Sequence, residues 1–297
     1  MKKKIFITGL SGFVGTNVRQ FFANSEIESY ARGSELDLKD AEYVIHLAGK
    51  AHDFKKTSFS GEYYKVNTEL TQKVFDAFLV SYAKVFITLS SVKAVADKVE
   101  GELSEEVMPN PITHYGKSKL LAEQYILSKL IPAGKRVYIL RPCMIHGSGN
   151  KGNLNLLYNL ISKGLPWPLG LFNNSRSYLS IENLCFIIKE LTEREDIPSG
   201  VYNVSDDIPL STNEVINLIA ESKGKRAKIL NLSKRLIKIL ALMGDFLKLP
   251  LNSERLQKLT ESYVVSNTKI KAALSKPLPV SSKEGLMKTF QSFSANA

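Results

Sequence analysis

Tyr115 and Lys119 stand four residues apart in the run Tyr115-Gly116-Lys117-Ser118-Lys119. If that run is helical, the spacing puts a phenol and an ammonium on one face. A positive charge beside a phenol favours the phenolate and pulls a pKa of about 10 down towards neutrality. Such a tyrosine can serve as general acid or base at an alcohol or ketone oxygen, which hydride transfer at that carbon requires. The spacing by itself equally describes an aromatic beside a solvated lysine, so the rest of the chain must supply the context.

The N-terminus supplies it. Ile5 to Thr8 is a short apolar run, followed by glycines at 9, 12 and 15 and a helical pattern through Val14, Val18, Phe21 and Phe22. Strand, glycine turn and helix is the context of a dinucleotide-binding fingerprint, here spaced Gly-x-x-Gly-x-x-Gly. Gly9 permits the tight turn, Gly12 lets backbone N–H groups approach a pyrophosphate, and Gly15 lets helix and strand pack closely. Phe13 and Val14 open the helix and belong to the same cradle. An acid about 20 residues past the first glycine would hold the ribose 2′-hydroxyl. Instead, Ile27–Ala31 runs into Arg32-Gly33-Ser34, with Asp37 and Leu38 just beyond. An arginine and a serine there suit a 2′-phosphate, so NADP(H) is favoured over NAD, with Asp37 as the ribose ligand in the alternative case.

Stepping out to the elements that hold these residues, strand-like runs lie at 4–8, 27–31, 43–48, 85–89 and 136–140, and helical runs near 13–24, 62–79 and 116–130. The alternation predicts an α/β protein with a doubly wound parallel sheet, a Rossmann fold, and a smaller C-terminal substrate lobe. Only Gly33 to Glu42 separate the second strand from Tyr43. A helical crossover alone needs about 10–12 residues, so the third strand and its helix are abbreviated. Residues 1–150 are expected to bind the dinucleotide, and 151–297 mainly the substrate, with some segments returning to the sheet.

Composition bounds the function classes. The 297 residues, 44% hydrophobic and 23% charged, suit a soluble globular chain. No run approaches the roughly 18 apolar residues of a membrane span, and the basic start reads as the first strand rather than a signal peptide. Two distant cysteines, Cys143 and Cys185, fit a reducing cytoplasm. His46, His52, His114 and His146 have no metal-ligand spacing, so no metal is expected. The net charge is +11, and ten Lys/Arg against two acids between Lys223 and Lys258 contribute +8 of it. No nucleic-acid motif accompanies that charge, so nucleic acid is not expected as a partner. Within it, the mixed basic and apolar run 232–243 reads as a substrate-lobe helix with one packed apolar face, in preference to a helix lying on an anionic membrane.

The ordered set of motifs resembles the extended short-chain dehydrogenase/reductases, specifically the NAD-dependent nucleotide-sugar epimerase/dehydratase family. Besides the glycine turn and the Tyr/Lys pair, the resemblance runs through Ile45-His46-Leu47-Ala48-Gly49, Val66-Asn67-Thr68, Leu89-Ser90-Ser91, Leu140-Arg141-Pro142 and Arg176-Ser177-Tyr178. Ser91-Val92-Lys93, Lys151-Gly152-Asn153, Gly164–Gly170 and Asn174–Ser177 look most like reductases of UDP-4-keto-6-deoxy-N-acetylhexosamines, with UDP-glucose 4-epimerases close behind. The resemblance implies that Ser91, Tyr115 and Lys119 are catalytic. It places Leu47, Ala48, Gly49, Lys50 and Asn67 at the cofactor with Tyr115 and Lys119. It places Asn153, Arg176, Tyr178 and Arg255 at the UDP-sugar with Ser91 and Tyr115. Dehydratases of this kind carry an acid pair just after the serine; Val92 and Lys93 stand there, which argues against elimination. Epimerases commonly carry an asparagine three residues after the strand-end arginine, where this chain has Met144.

Three functions compete. The first is reduction of a UDP-bound 4-keto-(6-deoxy)-hexosamine for surface polysaccharide synthesis, by a cytoplasmic monomer or homodimer. The second is 4-epimerisation of UDP-glucose or UDP-N-acetylglucosamine with the same residues. The third is a non-catalytic nucleotide-sensing protein, against which the intact Ser91, Tyr115 and Lys119 argue.

Overall fold

The computed structural model describes residues 3–30, 36–51, 60–150, 152–247 and 252–295. Its strands are β1 (Lys4–Thr8), β2 (Glu26–Ser29), β3 (Tyr43–His46), β4 (Val85–Leu89), β5 (Glu102–Leu103), β6 (Arg136–Pro142), β7 (Met144–His146), β8 (Tyr178–Ser180), β9 (Gly200–Val204) and β10 (Val264–Val265). Its helices begin with α1 (Phe13–Phe21), α2 (Ser60–Tyr63), a π-helical turn at Tyr64–Glu69, α3 (Leu70–Val80) and α4 (His114–Leu127). They continue with α5 (Asn153–Ser162), α6 (Ile181–Glu193), α7 (Thr212–Glu221), α8 (Lys234–Leu247), α9 (Ser253–Thr260), α10 (Thr268–Leu274) and α11 (Ser282–Ala295).

Six strands form one parallel sheet in the order β2-β1-β3-β4-β6-β9. Every residue of β3 and β4 is buried, as expected of parallel strands covered on both faces. Alternation along each strand divides the side chains between two cores. Ile5, Ile7, Ile45, Val85, Ile87, Tyr138 and Leu140 face α1 and α6, whereas Phe6, Val44, Phe86, Val137 and Ile139 face α3. Among the described residues no strand or helix intervenes between Ser29 and Tyr43, and β3 pairs directly with β1, Ile5 opposite Tyr43. Among the described residues β2 is therefore the edge strand of the sheet, in line with an abbreviated third strand.

The second half of the chain contributes twice. α6, β9 and α10 join the main core, with β9 pairing to β6. A second core, around Leu154, Trp167, Ile216, Ile237 and Phe290, holds the C-terminal lobe. Among the described residues no helix is long and apolar enough to cross a membrane.

Candidate active site

Parallel strands bring their carboxyl ends to one edge of the sheet, where open α/β folds bind ligands. β1 leaves that edge through Gly9, at φ +74, a conformation that costs glycine little. A Cβ there would come within 2.6 Å of the Ala48 nitrogen, so the turns after β1 and β3 can touch only because residue 9 has no side chain. A Cβ on Gly15 would meet the backbone of Gly9 and Leu10, which is the close helix–strand packing expected. At Gly12 the situation is opposite: the only atom within 4 Å of a Cβ is the Gly9 carbonyl oxygen, at 3.3 Å. Gly12 caps α1 without a side-chain hydrogen bond, and no acid stands in the first turn. Unpaired N–H groups beside open space, at the positive end of a helix, fit a dinucleotide pyrophosphate.

The wall of the cradle is a chain of buried polar groups. The Thr8 hydroxyl lies 2.7 Å from His46 Nδ1 and accepts from the Ala48 N–H at 3.1 Å, and His46 Nε2 lies 2.9 Å from the Thr71 hydroxyl. Burial, reinforced by the Lys119 charge, pushes His46 down to about 3, so it is a neutral structural link. Asn67, fully buried in the π-helical turn, accepts from the Lys50 N–H at 2.8 Å and donates to the Lys50 carbonyl and the Ser118 hydroxyl, each at 3.0 Å. It therefore ties the Ala48-Gly49-Lys50 turn to α4.

α4 is the element that the Tyr/Lys spacing requires. Thr113 caps it, accepting from the Gly116 N–H at 3.2 Å, and the Asp97 carboxylate takes the Ile112 N–H at 2.7 Å to hold the approach. The helix buries Ser118, Lys119 and Glu123 where an ordinary packed helix would bury leucines. A polar buried face of that kind marks a site rather than a core. Ser91 leaves β4 in an extended conformation at φ −164 and caps the short turn Val92–Ala94.

α4 packs directly on the turn that Ser91 caps: a Cβ on Gly116 would come within 2.3 Å of the Lys93 carbonyl oxygen, so residues 24 positions apart in the chain are brought to one place. The electrostatics differ from the expectation. Burial raises the Tyr115 phenol above its ordinary value, the Ser91 hydrogen bond lowers it in part, and Lys119 is not among the groups that shift it. The Lys119 ammonium turns instead to the Leu89 carbonyl, donating at 2.7 Å. Burial brings Lys119 down to about 8, opposed by the attraction of Glu123. At Tyr115 desolvation outweighs every other influence on the phenol.

Behind Lys119 lies a buried ion pair that no motif in the sequence announces. Arg141 Nε donates to the two Glu123 oxygens at 3.0 and 3.1 Å, and Nη2 donates to Oε2 at 2.6 Å. The two side chains are 6% and 2% exposed, and the Ser90 hydroxyl donates to the same carboxylate. The signal was present as a glutamate one helical turn after Lys119, on the same face.

The residues expected at the UDP-sugar lie among cations. Arg176 Nη1 donates to the Lys258 carbonyl, and Nη2 lies 3.7 Å from Glu261 Oε1. Lys93 donates to the Asp97 carbonyl at 2.8 Å and sits 4.2 Å from the centre of the Tyr263 ring. Burial lowers its pKa, the Asp97 and Glu261 carboxylates oppose that, and Arg176 and Lys258 lower it a little further. The position after Ser91 thus presents a cation, not an acid pair. Arg255 lies one turn before Lys258 on the exposed side of α9.

Tyr178, expected at the UDP-sugar, is 4% exposed and packs in the C-terminal core with its ring 6.2 Å from His146. Leu38, also 4% exposed, packs against Phe6 and Val44 because it follows the truncated crossover into the core. Asp37 is exposed and accepts from the Lys39 N–H at 3.1 Å. Leu47, Phe13 and Val14 pack half-buried on the main core beside the cradle. Arg32 and the side chain of Asn153 lie outside the described residues.

A glycine cradle and a Ser/Tyr/Lys set at the carboxyl edge of a doubly wound sheet define a nicotinamide-dependent oxidoreductase of the extended short-chain dehydrogenase/reductase class. Residues 31–205 match the NAD dependent epimerase/dehydratase family, and the chain belongs to it. It is 30% identical to a UDP-glucose 4-epimerase of Vibrio cholerae, over 99% of this chain and 96% of that protein. It is 26% identical to an N-acetyl-alpha-D-glucosaminyl-diphospho-ditrans,octacis-undecaprenol 4-epimerase of Escherichia coli O157:H7, over 91% of this chain and 85% of that one. The solved structure of MoeE5 in complex with UDP-glucuronic acid and NAD shares the fold, at TM-score 0.76 and 20% identity over 99% of this chain and 100% of that one.

Proposed function

We propose that this enzyme acts at C4 of a UDP-sugar, and that its reaction is reduction of a UDP-4-keto-(6-deoxy)-hexosamine. The observation that carries the reading is geometric: α4, which bears Tyr115 and Lys119, packs on the turn that Ser91 caps, where a Cβ on Gly116 would come within 2.3 Å of the Lys93 carbonyl oxygen. A phenol placed there is set to give a proton to a ketone oxygen. Val92 and Lys93, in place of acids after Ser91, support a reaction without elimination. A bound nicotinamide would supply the hydride, held by the N-terminal groups Gly12–Gly15 and by the Ala48–Lys50 turn that Asn67 fixes. Ser91 positions the sugar oxygen and Tyr115 protonates it. Lys119 keeps the floor of the pocket in place through Leu89. Arg176, with Lys93 and Arg255 nearby, offers charge to the diphosphate. On this reading residues 1–150 carry the cofactor and 151–297 mainly the substrate, with 181–193, 200–204 and 268–274 returning to the main sheet.

Epimerisation is the second reading, supported by the Vibrio cholerae relative's activity on UDP-glucose. The two separate in one assay. Purified enzyme with UDP-4-keto-6-deoxy-N-acetylglucosamine should consume reduced nicotinamide stoichiometrically. Conversion of UDP-glucose or UDP-N-acetylglucosamine to its C4 epimer, with no net nicotinamide change, would replace reduction by epimerisation. Neither activity would leave the nucleotide-sensing alternative. For the cofactor we favour NADP(H), on Arg32 and Ser34. Arg32→Ala should then weaken NADPH at least tenfold, the loss of a charge-assisted bond of about 1.5–3 kcal/mol, and spare NADH. Equal weakening of both would make Arg32 a turn residue.

A further inference from the structure

α8 packs one narrow face, Ile237, Ala241 and Gly244, as a substrate-lobe helix should. The rest of its apolar surface is uncovered. At 3.6 residues per turn, Leu236, Ile239, Leu240, Met243, Phe246 and Leu247 fall on one continuous arc. All six are more than 40% exposed, and Phe246 reaches 89%. The remaining arc carries Lys234, Arg235 and Lys238 together with Asp245 and the exposed Leu242, and the exposed basic residues Lys225, Arg226 and Lys228 lead into the helix. Among the described residues none of Lys225, Arg226, Lys228, Arg235 and Lys238 pairs with a carboxylate. An exposed apolar arc of this width is a docking surface in most soluble proteins.

We infer that α8 docks the enzyme on an anionic lipid bilayer. Fourteen residues with a charged arc are too short and too polar to span, but an apolar arc flanked by Lys and Arg is the design of a helix lying in the headgroup layer. Charge decides against a second copy of the chain as the occupant. A two-fold contact through this face would bring uncompensated lysines and arginines together at its edge, whereas acidic headgroups neutralise them. The docking face is also joined to the cationic substrate side. The Ser253 N–H donates to Asp245 Oδ1 at 3.0 Å, tying the end of α8 to α9, and the Lys258 carbonyl at the other end of α9 accepts from Arg176. Docking through α8 would hold the Arg176 group beside the membrane surface.

The test uses the full chain and sedimentation with lipid vesicles, and does not depend on which sugar reaction is correct. Wild type should sediment with vesicles of phosphatidylcholine and phosphatidylglycerol, stay in solution with phosphatidylcholine alone, and be released by high salt. Ile239→Glu/Phe246→Glu, which removes apolar contact, and Arg235→Glu/Lys238→Glu, which removes charge, should each weaken binding at least tenfold. All these side chains are exposed, so both variants should melt as wild type does, and the single Phe246→Ser should show a smaller loss in the same direction. Three results would overturn the inference. In the first, wild type does not bind the acidic vesicles; in the second, the variants bind as wild type does. In the third, light scattering shows a concentration-dependent dimer that Ile239→Glu/Phe246→Glu dissociates, so a second copy covers the face.

Discussion

Lys119→Met should make the protein more stable at neutral pH while disabling it. Lys119 is 7% exposed, and burial lowers it from 10.5 to about 8. Its folded pKa lies below its unfolded one, so the unfolded chain binds more protons between those values and stability rises with pH across that window. Below about pH 8 the full cost is present. A gap of about 2.5 pH units, at about 1.36 kcal/mol each, comes to about 3 kcal/mol. Methionine fills a similar volume without a charge and removes that cost. It also removes the 2.7 Å hydrogen bond to the Leu89 carbonyl, a loss of about 1–2 kcal/mol at a buried acceptor. The net expectation is a gain of about 1–2 kcal/mol at pH 7. As pH approaches 10 the wild-type lysine loses its proton, the cost fades, and only the lost hydrogen bond separates the two proteins. The variant's advantage should therefore fall by about 2–3 kcal/mol between pH 7 and pH 10. Urea unfolding of both proteins at the two pH values measures it, with turnover as the companion readout. A stability difference that does not change with pH would refute the reasoning, because it would mean that Lys119 is not buried as a charge.

Tyr115→Phe keeps the ring against Tyr63 and removes the proton, so turnover should fall by about 10²–10⁴ with substrate binding preserved, and near wild-type turnover would sink the acid–base role. Arg176→Ala should raise KM for the UDP-sugar and leave nicotinamide binding unchanged; calorimetry showing the reverse would move Arg176 out of the substrate side. Glu123→Leu strands Arg141 as a buried unpaired cation and should cost about 3–5 kcal/mol in urea unfolding, whereas Glu123→Leu/Arg141→Met should recover most of it. A single variant within about 1 kcal/mol of wild type would show that the pair contributes little.

The sequence by itself determined what depends on neighbours in the chain. The glycines at 9, 12 and 15 have to make a turn between strand and helix, and Tyr115 and Lys119 have to share a helical face, because both follow from local geometry. The missing third strand followed from simple length, since Gly33 to Glu42 cannot hold a strand and a crossover. Tertiary structure decided what depends on burial, which sums over atoms far away in sequence. It turned the Lys119 ammonium to the Leu89 carbonyl and buried the Tyr115 ring, and that burial raises the phenol where the spacing alone would lower it. It joined Glu123 to Arg141 and Ser90, and it packed Tyr178 and Leu38 into cores, which their neighbours in the chain do not announce. The same limit applies to α8. Its apolar and basic pattern was plain in the sequence, but only the packed fold shows that Ile237, Ala241 and Gly244 suffice to hold it and that its broad apolar arc faces outward. Periodicity tells which residues share a face; how much of that face the protein covers is set by the volume its other elements leave to fill.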